Sequence, residues 1–219
     1  MPHVPPRSDL ATHEVSNQPA PRGDLDLWHS DPALRDHARA SGAQADHLAS
    51  YGARIGTADM QAAGRDANRH SPELVLFDAG GRRLDEVRFH PAYHHLLQTG
   101  IAAGYAALPW EGAKGGHATH AAMVYLTSQI EPGVCCPMTM TYAAVPALRA
   151  DKTLLRAWAP RLTARAHDPA ARPLARKSAA TLGMAMTEKQ GGSDIRGNAT
   201  TAAPDGDLYR LTGHKWFCS

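Results

Sequence analysis

Cysteine is scarce, with three in 219 residues, at positions 135, 136 and 218. They offer neither the even-numbered framework of a small secreted fold nor the ligand spacing of a zinc site. Reduced thiols are the expectation, and the adjacent Cys135 and Cys136 read as packing at a helix entry. No apolar run approaches the roughly 20 residues needed to span a bilayer as a helix. The start, Met1-Pro2-His3-Val4-Pro5-Pro6-Arg7, lacks the apolar core of a signal peptide. A cytoplasmic location without a membrane partner follows as an expectation. Basic charge is scattered: the net charge is +2 and no run of five basic residues occurs, so the chain shows no nucleic-acid footprint of its own. Acidic partners for metal binding are missing too. His90, His94 and His95 stand without them, and His117 and His120 lie among Ala and Gly, so surface and packing roles are expected and no metal site. Arg82, Arg83 and Arg88 read as a solvated face.

What is present divides the chain into three. Residues 1–29 hold Pro2, Pro5, Pro6, Pro19 and Pro21 among polar residues. They are expected to form an extended arm, either disordered or laid along a partner subunit. Residues 30–178 are expected to be helical. Ser30-Asp31-Pro32 supplies a start signal, and Leu34, Ala38, Ala45, Leu48, Tyr51 and Ile55 follow at helical spacing, weakened at Ser41-Gly42. Residues 72–85 read as a small hairpin around Gly80-Gly81. Phe89, Tyr93, Leu96, Leu97, Ile101, Tyr105 and Leu108 then predict one amphipathic helix stopped by Pro109. A further helix is expected over 118–129, with Ala121, Ala122, Tyr125 and Leu126 on its inner side, and more helix over 139–158, punctuated by Pro146. Residues 161–178 have no period and read as a connection. In the third part, residues 179–219, the period changes. Leu182, Met184 and Met186 alternate as a strand would, and Asp205-Gly206 precedes the strand-like Leu208–Leu211.

The chemistry-bearing stretch is Met184-Ala185-Met186-Thr187-Glu188-Lys189-Gln190-Gly191-Gly192-Ser193-Asp194, followed one hairpin later by Gly213-His214-Lys215-Trp216-Phe217-Cys218-Ser219. A Gly-Gly-Ser turn lets backbone and a hydroxyl approach a phosphate. A strand end at Met186-Thr187 can offer amides and a hydroxyl to a heterocycle. Together the two segments resemble the flavin-facing β segment of acyl-CoA dehydrogenases. Lys189-Gln190, where the general pattern has proline, makes the chain similar to the adaptive-response (AidB-like) branch linked to protection from DNA alkylation. Pro72-Glu73-Leu74, the run from Leu84 to His94, and Cys136 to Ala144 resemble the same branch, and the likeness extends from about residue 16 onward.

The resemblance implies an α+β fold: an acyl-CoA dehydrogenase-like N-terminal helical domain followed by the first strands of the middle β domain. The C-terminal helical domain is expected beyond Ser219. It implies FAD as cofactor, with Met184, Ala185, Met186, Thr187, Gly191, Gly192, Ser193, Phe217, Cys218 and Ser219 around it. Phe217 takes the place of an aromatic packed on the flavin, and Ser219 that of a hydroxyl to flavin N5. It implies oxidation of acyl-CoA thioesters by hydride transfer to the flavin. The alternatives are a DNA-binding flavoprotein of the alkylation response with minor dehydrogenase activity, or an inactive truncated chain. The catalytic glutamate and any surface for double-stranded DNA would belong to the C-terminal domain, and the full-length protein is expected to be a homotetramer. Glu188 is expected to make a structural hydrogen bond or ion pair and not to act as the base.

Overall fold

In the computed structural model, residues 7, 9–19 and 22–218 are described. The order is a two-residue strand pair, β1 (Asp9–Leu10) and β2 (His13–Glu14), then three helices, α1 (Pro32–Ala40), α2 (Ala45–Ile55) and α3 (Ala58–Arg69). The hairpin of β3 (Glu73–Phe77) and β4 (Arg83–Arg88) follows. Four helices come next, α4 (Pro91–Ala102), α5 (Gly116–Ser128), α6 (Cys135–Leu148) and α7 (Lys152–Leu162), and then the hairpin of β5 (Thr201–Asp205) and β6 (Leu208–Thr212). Each strand pair is antiparallel and two-stranded.

The helices enclose one core of Trp28, Leu48, Tyr51, Ile55, Met60, Leu96, Leu97, Tyr105, Met123, Leu126 and Met138, with neighbours. Their ends are capped by short polar side chains. The Asp31 carboxylate accepts from Leu34 N–H at 2.8 Å, the Asp151 carboxylate from Thr153 and Leu154 N–H, and Thr57 Oγ1 from Met60 N–H. Each satisfies amides that the helix cannot. Inside the core, Tyr51 Oη and Thr127 Oγ1 share a hydrogen bond of 2.7 Å. Burial pushes the Tyr51 phenol above its ordinary range.

Several expectations change. The arm is anchored at its end: Leu27 and Trp28 are buried and Leu25 N–H donates to Gly56 C=O at 3.0 Å. Two large apolar side chains at the end of a polar stretch find more burial on α2 than in water. The helix expected from Phe89 to Leu108 ends at Ala102. Gly104 takes φ 86°, its N–H bonds Ile101 C=O, and Tyr105 N–H bonds Gly100 C=O, a glycine-terminated helix end. Pro109 lies in a separate 3₁₀ turn, Leu108–Trp110. On α5 the inner face carries His120, Ala122, Met123, Leu126 and Thr127, whereas Ala121 and Tyr125 are exposed. Cys135 is buried but Cys136 is exposed. α3 gave no sequence expectation because Met60 and Gly64 are its only buried residues. The residues from Leu182 to Met186 form no strand. Alternation describes extended backbone, and a strand also needs a partner; instead Leu182 N–H donates to Thr141 Oγ1 at 3.0 Å and Met184 N–H to Met140 Sδ at 3.4 Å, both on α6.

Candidate functional site

The two motif segments come together around one carboxylate. Glu188 is 1% exposed. Its Oε1 accepts from Thr200 Oγ1 at 2.6 Å, Thr200 N–H at 3.0 Å and Lys215 Nζ at 2.9 Å. Its Oε2 accepts from Ala199 N–H at 2.7 Å and Gln190 Nε2 at 2.5 Å. The Thr200 hydroxyl, the Ala199 amide and the Lys215 ammonium hold this carboxyl well below the usual carboxylate range, against the opposing effect of burial. Five donors on a charged acceptor fix the turn, as charge-assisted hydrogen bonds are the stronger kind.

Backbone contacts complete the joint. Trp216 N–H donates to Thr187 C=O at 2.8 Å, and Glu188 and Gly191 bond one another. Lys189 N–H donates to His214 Nε2 at 3.0 Å, and Lys189 Nζ lies 5.3 Å from the Trp216 ring centre. Met186 C=O accepts from Asn198 Nδ2 at 2.9 Å. A Cβ at Gly192 would lie 2.8 Å from Thr187 Oγ1, and Gly191 takes φ 151°, so this turn needs glycine.

Thr187, Gly191, Gly192 and Trp216 thus meet, and Phe217 follows with φ 55° and 77% exposure. Met184 is half-buried; Ala185, Met186, Ser193 and Cys218 are exposed. Ser219 lies outside the described residues. Among the described residues the Thr187 hydroxyl, the Gly192 and Ser193 amides and the Ser193 hydroxyl have no hydrogen-bond partner. A turn presenting such donors suits the oxygens of a pyrophosphate, and an exposed aromatic suits a flat ring, so the residues present fit a flavin nucleotide. Of the residues that build the joint, Asn198, Ala199 and Thr200 were not singled out in the sequence, and His214 and Lys215 were quoted within the second motif segment without a role of their own. They act through backbone and through contacts 11 to 29 positions apart, which no local pattern announces.

The other candidates sort as their neighbours dictate. Arg82, Arg83 and Arg88 pair with Asp78, Asp85 and Glu86 on the exposed hairpin. His120 is buried, with Nδ1 2.7 Å from Tyr105 C=O, and His117 Nδ1 lies 2.8 Å from Tyr142 Oη. His94 pairs with His167.

The family model described as the adaptive response protein AidB N-terminal domain matches residues 17–169. The chain belongs to that family. It is 44% identical over 215 residues to the putative acyl-CoA dehydrogenase AidB of Escherichia coli K12, covering 95% of this chain and 40% of that protein. It is 34% identical over 182 residues to acyl-CoA dehydrogenase family member 11 of Caenorhabditis elegans, covering 78% of this chain and 28% of the relative. The fold superposes on the C. elegans ACDH-11 crystal structure in complex with C11-CoA with a TM-score of 0.72 at 30% identity, over 94% of this chain and 36% of the other. It superposes on the apo form of Bd2924 with a TM-score of 0.73 at 30% identity, over 93% and 42%. The chain therefore has the α+β fold of the acyl-CoA dehydrogenase N-terminal region, and it spans less than half the length of these relatives.

Proposed function

We propose that this chain is the N-terminal part of an FAD-dependent, acyl-CoA dehydrogenase-like oxidoreductase acting on acyl-CoA thioesters. The reading divides it into residues 30–178 as the helical domain and 179–219 as the start of the β domain. The observation that carries it is the joint at Glu188, which seats His214–Trp216 against Met186–Lys189 and leaves the Thr187 and Ser193 hydroxyls unengaged among the described residues. A bound flavin supplies a hydride acceptor. Gly191, Gly192 and Ser193 would hold its pyrophosphate, Met184 to Thr187 its ring edge through amides and a hydroxyl, and Phe217, Cys218 and Ser219 its ring system. Glu188 is excluded as the base, because its carboxylate is enclosed by donors and held in its charged form, whereas a general base has to take up a proton. The base and the tetrameric contacts are assigned to the remainder of the protein.

The reading is supported by the kinship to proteins named acyl-CoA dehydrogenases and by a C11-CoA ligand in one of them. The DNA-associated reading has only the family's adaptive-response name behind it. The test is flavin titration of the full-length protein and its Thr187→Val variant by absorbance and fluorescence. A lost hydrogen bond of about 1 kcal/mol predicts roughly fivefold weaker FAD binding. Equal affinity and an unchanged flavin spectrum in the variant would remove Thr187 from the cofactor site.

A further inference from the structure

Residues 164–180 carry no regular element beyond a 3₁₀ turn at Leu174–Arg176, yet they are tied down by specific contacts. The Asp168 carboxylate accepts from Arg172 Nη2 at 2.7 Å, Ser178 N–H at 3.0 Å and Ala170 N–H at 3.2 Å. Lys177 Nζ donates to the carbonyls of Asp168 and Ala170 at 2.8 and 2.7 Å. These bonds close the segment on itself. Its attachment to α4 is of another kind: His167 N–H donates to Gln98 Oε1 at 2.9 Å, and the His167 ring meets the His94 ring, Nε2 to Nδ1, at 2.9 Å. The two imidazoles lie end to end and nearly coplanar, with centroids 5.2 Å apart and planes at 26°, the arrangement of an in-line hydrogen bond.

The position of this contact gives it consequence. His167, Asp168, Lys177 and Thr181 form a wall shared by two cavities. One, of about 270 Å³, lies over Ile101, Met138, Trp158 and Leu162; the other, of about 460 Å³, lies between β4 and α4 beside Arg88 and Tyr93. The segment then runs directly into Leu182, bonded to Thr141 on α6, and on to Thr187.

A nitrogen-to-nitrogen contact between two imidazoles works only while one facing nitrogen lacks a proton. With no or one added proton, an N–H···N bond survives, since the extra proton can sit on an outward nitrogen. With both rings protonated, two N–H groups and two positive charges face each other and the contact breaks. We propose that the His94–His167 pair is a proton-operated latch that holds residues 164–180 against α4, and that uptake of its second proton releases the wall between the two cavities. The titratable and charged groups that share the two cavities with the pair are Glu86 and Arg88 on β4, Tyr93 on α4, Arg161 on α7, and Asp168, Arg172 and Lys177 within the segment. Burial lowers both histidines from their ordinary range, and at His167 the neighbouring His94 and Lys177 push the same way against Asp168. The unfolded chain therefore binds protons that the latched state refuses. Latch stability is full above the ordinary histidine pKa of about 6.5 and declines as pH falls from there through the depressed folded values.

The test is hydrogen exchange of the full chain between pH 7.5 and 5.5, corrected for the intrinsic pH dependence of exchange, followed on peptides from 164–180 and, as control, from α5. The expected result is a loss of protection of tenfold or more in 164–180 alone. In His94→Phe, which can neither hydrogen-bond nor titrate, and in His167→Asn, protection should be low and independent of pH. A flat wild-type profile would overturn the latch, as would the same tenfold loss in both variants. If the variants do not fold, nitrogen NMR of the wild-type imidazoles decides. Uptake of the second proton together with the loss of protection supports the latch, and uptake of both protons with protection intact overturns it.

Discussion

Five hydrogen bonds to a single buried carboxylate make Glu188 the residue on which both motif segments depend. In Glu188→Gln one carboxylate oxygen becomes an NH₂ that must face a donor, either Ala199 N–H or Lys215 Nζ. The expected outcome is a lower thermal midpoint and faster proteolysis between residues 189 and 218, with Glu188→Ala worse because every donor loses its partner. Acid should act in the same direction. The folded-state pKa of Glu188 is depressed, so its contribution is complete above the ordinary glutamate value of about 4.3 and is lost as pH falls toward the folded value. Acid titration followed by tryptophan fluorescence should show a change below about pH 4 that is absent from Glu188→Gln. The sequence showed that Glu188 sits in a motif and argued for a structural role. It gave no sign of Thr200, and none that Lys215 in the second motif segment would be a partner, because the contacts are made across a loop and a hairpin.

Among the elements, α6 and the end of the arm carry the clearest energetics. The turn leading into α6 is held by Glu131, whose carboxylate accepts from Gly133 N–H at 3.0 Å and Val134 N–H at 2.7 Å in a buried setting. Glu131→Ala leaves those amides without a partner and should cost about 1–2 kcal/mol by urea unfolding, with Glu131→Gln closer to wild type. Trp28 is 2% exposed and packs where Gly52 has no Cβ to obstruct it. Trp28→Ala should cost about 3–5 kcal/mol, measured the same way, and release the arm up to α1. Helix existence was legible wherever the apolar stripe was strong, as along α2 and α4. Helix ends were not: α4 stops seven residues before Pro109 because Gly104 offers its carbonyls a tighter closure, and proline only marks where a helix cannot continue.

At the scale of the whole molecule, a packed helical body is joined to a β region with little burial. Leu208, Tyr209 and Leu211 are 74%, 69% and 73% exposed, and β5 and β6 pair only with each other among the described residues. Open edges with apolar side chains favour self-association. The chain should therefore form larger species with rising concentration in light scattering, and Tyr209→Lys with Leu211→Lys should suppress them without lowering the thermal midpoint of the helical body.

Sequence alone determined the family, the order of helical body before β hairpin and the turns of the β3–β4 and β5–β6 hairpins, and it supplied the residues proposed for the flavin. These follow from local chemistry: period, turn residues and a run of side chains that suits one ligand. Tertiary structure decided which residues meet. It closed Thr187 against Trp216, buried Glu188 beneath donors 11 to 27 positions away, set His94 on His167 across 73 positions, and drew Trp28 out of a polar arm into the core. Such contacts depend on how helices and loops pack in three dimensions, and linear spacing carries no record of that.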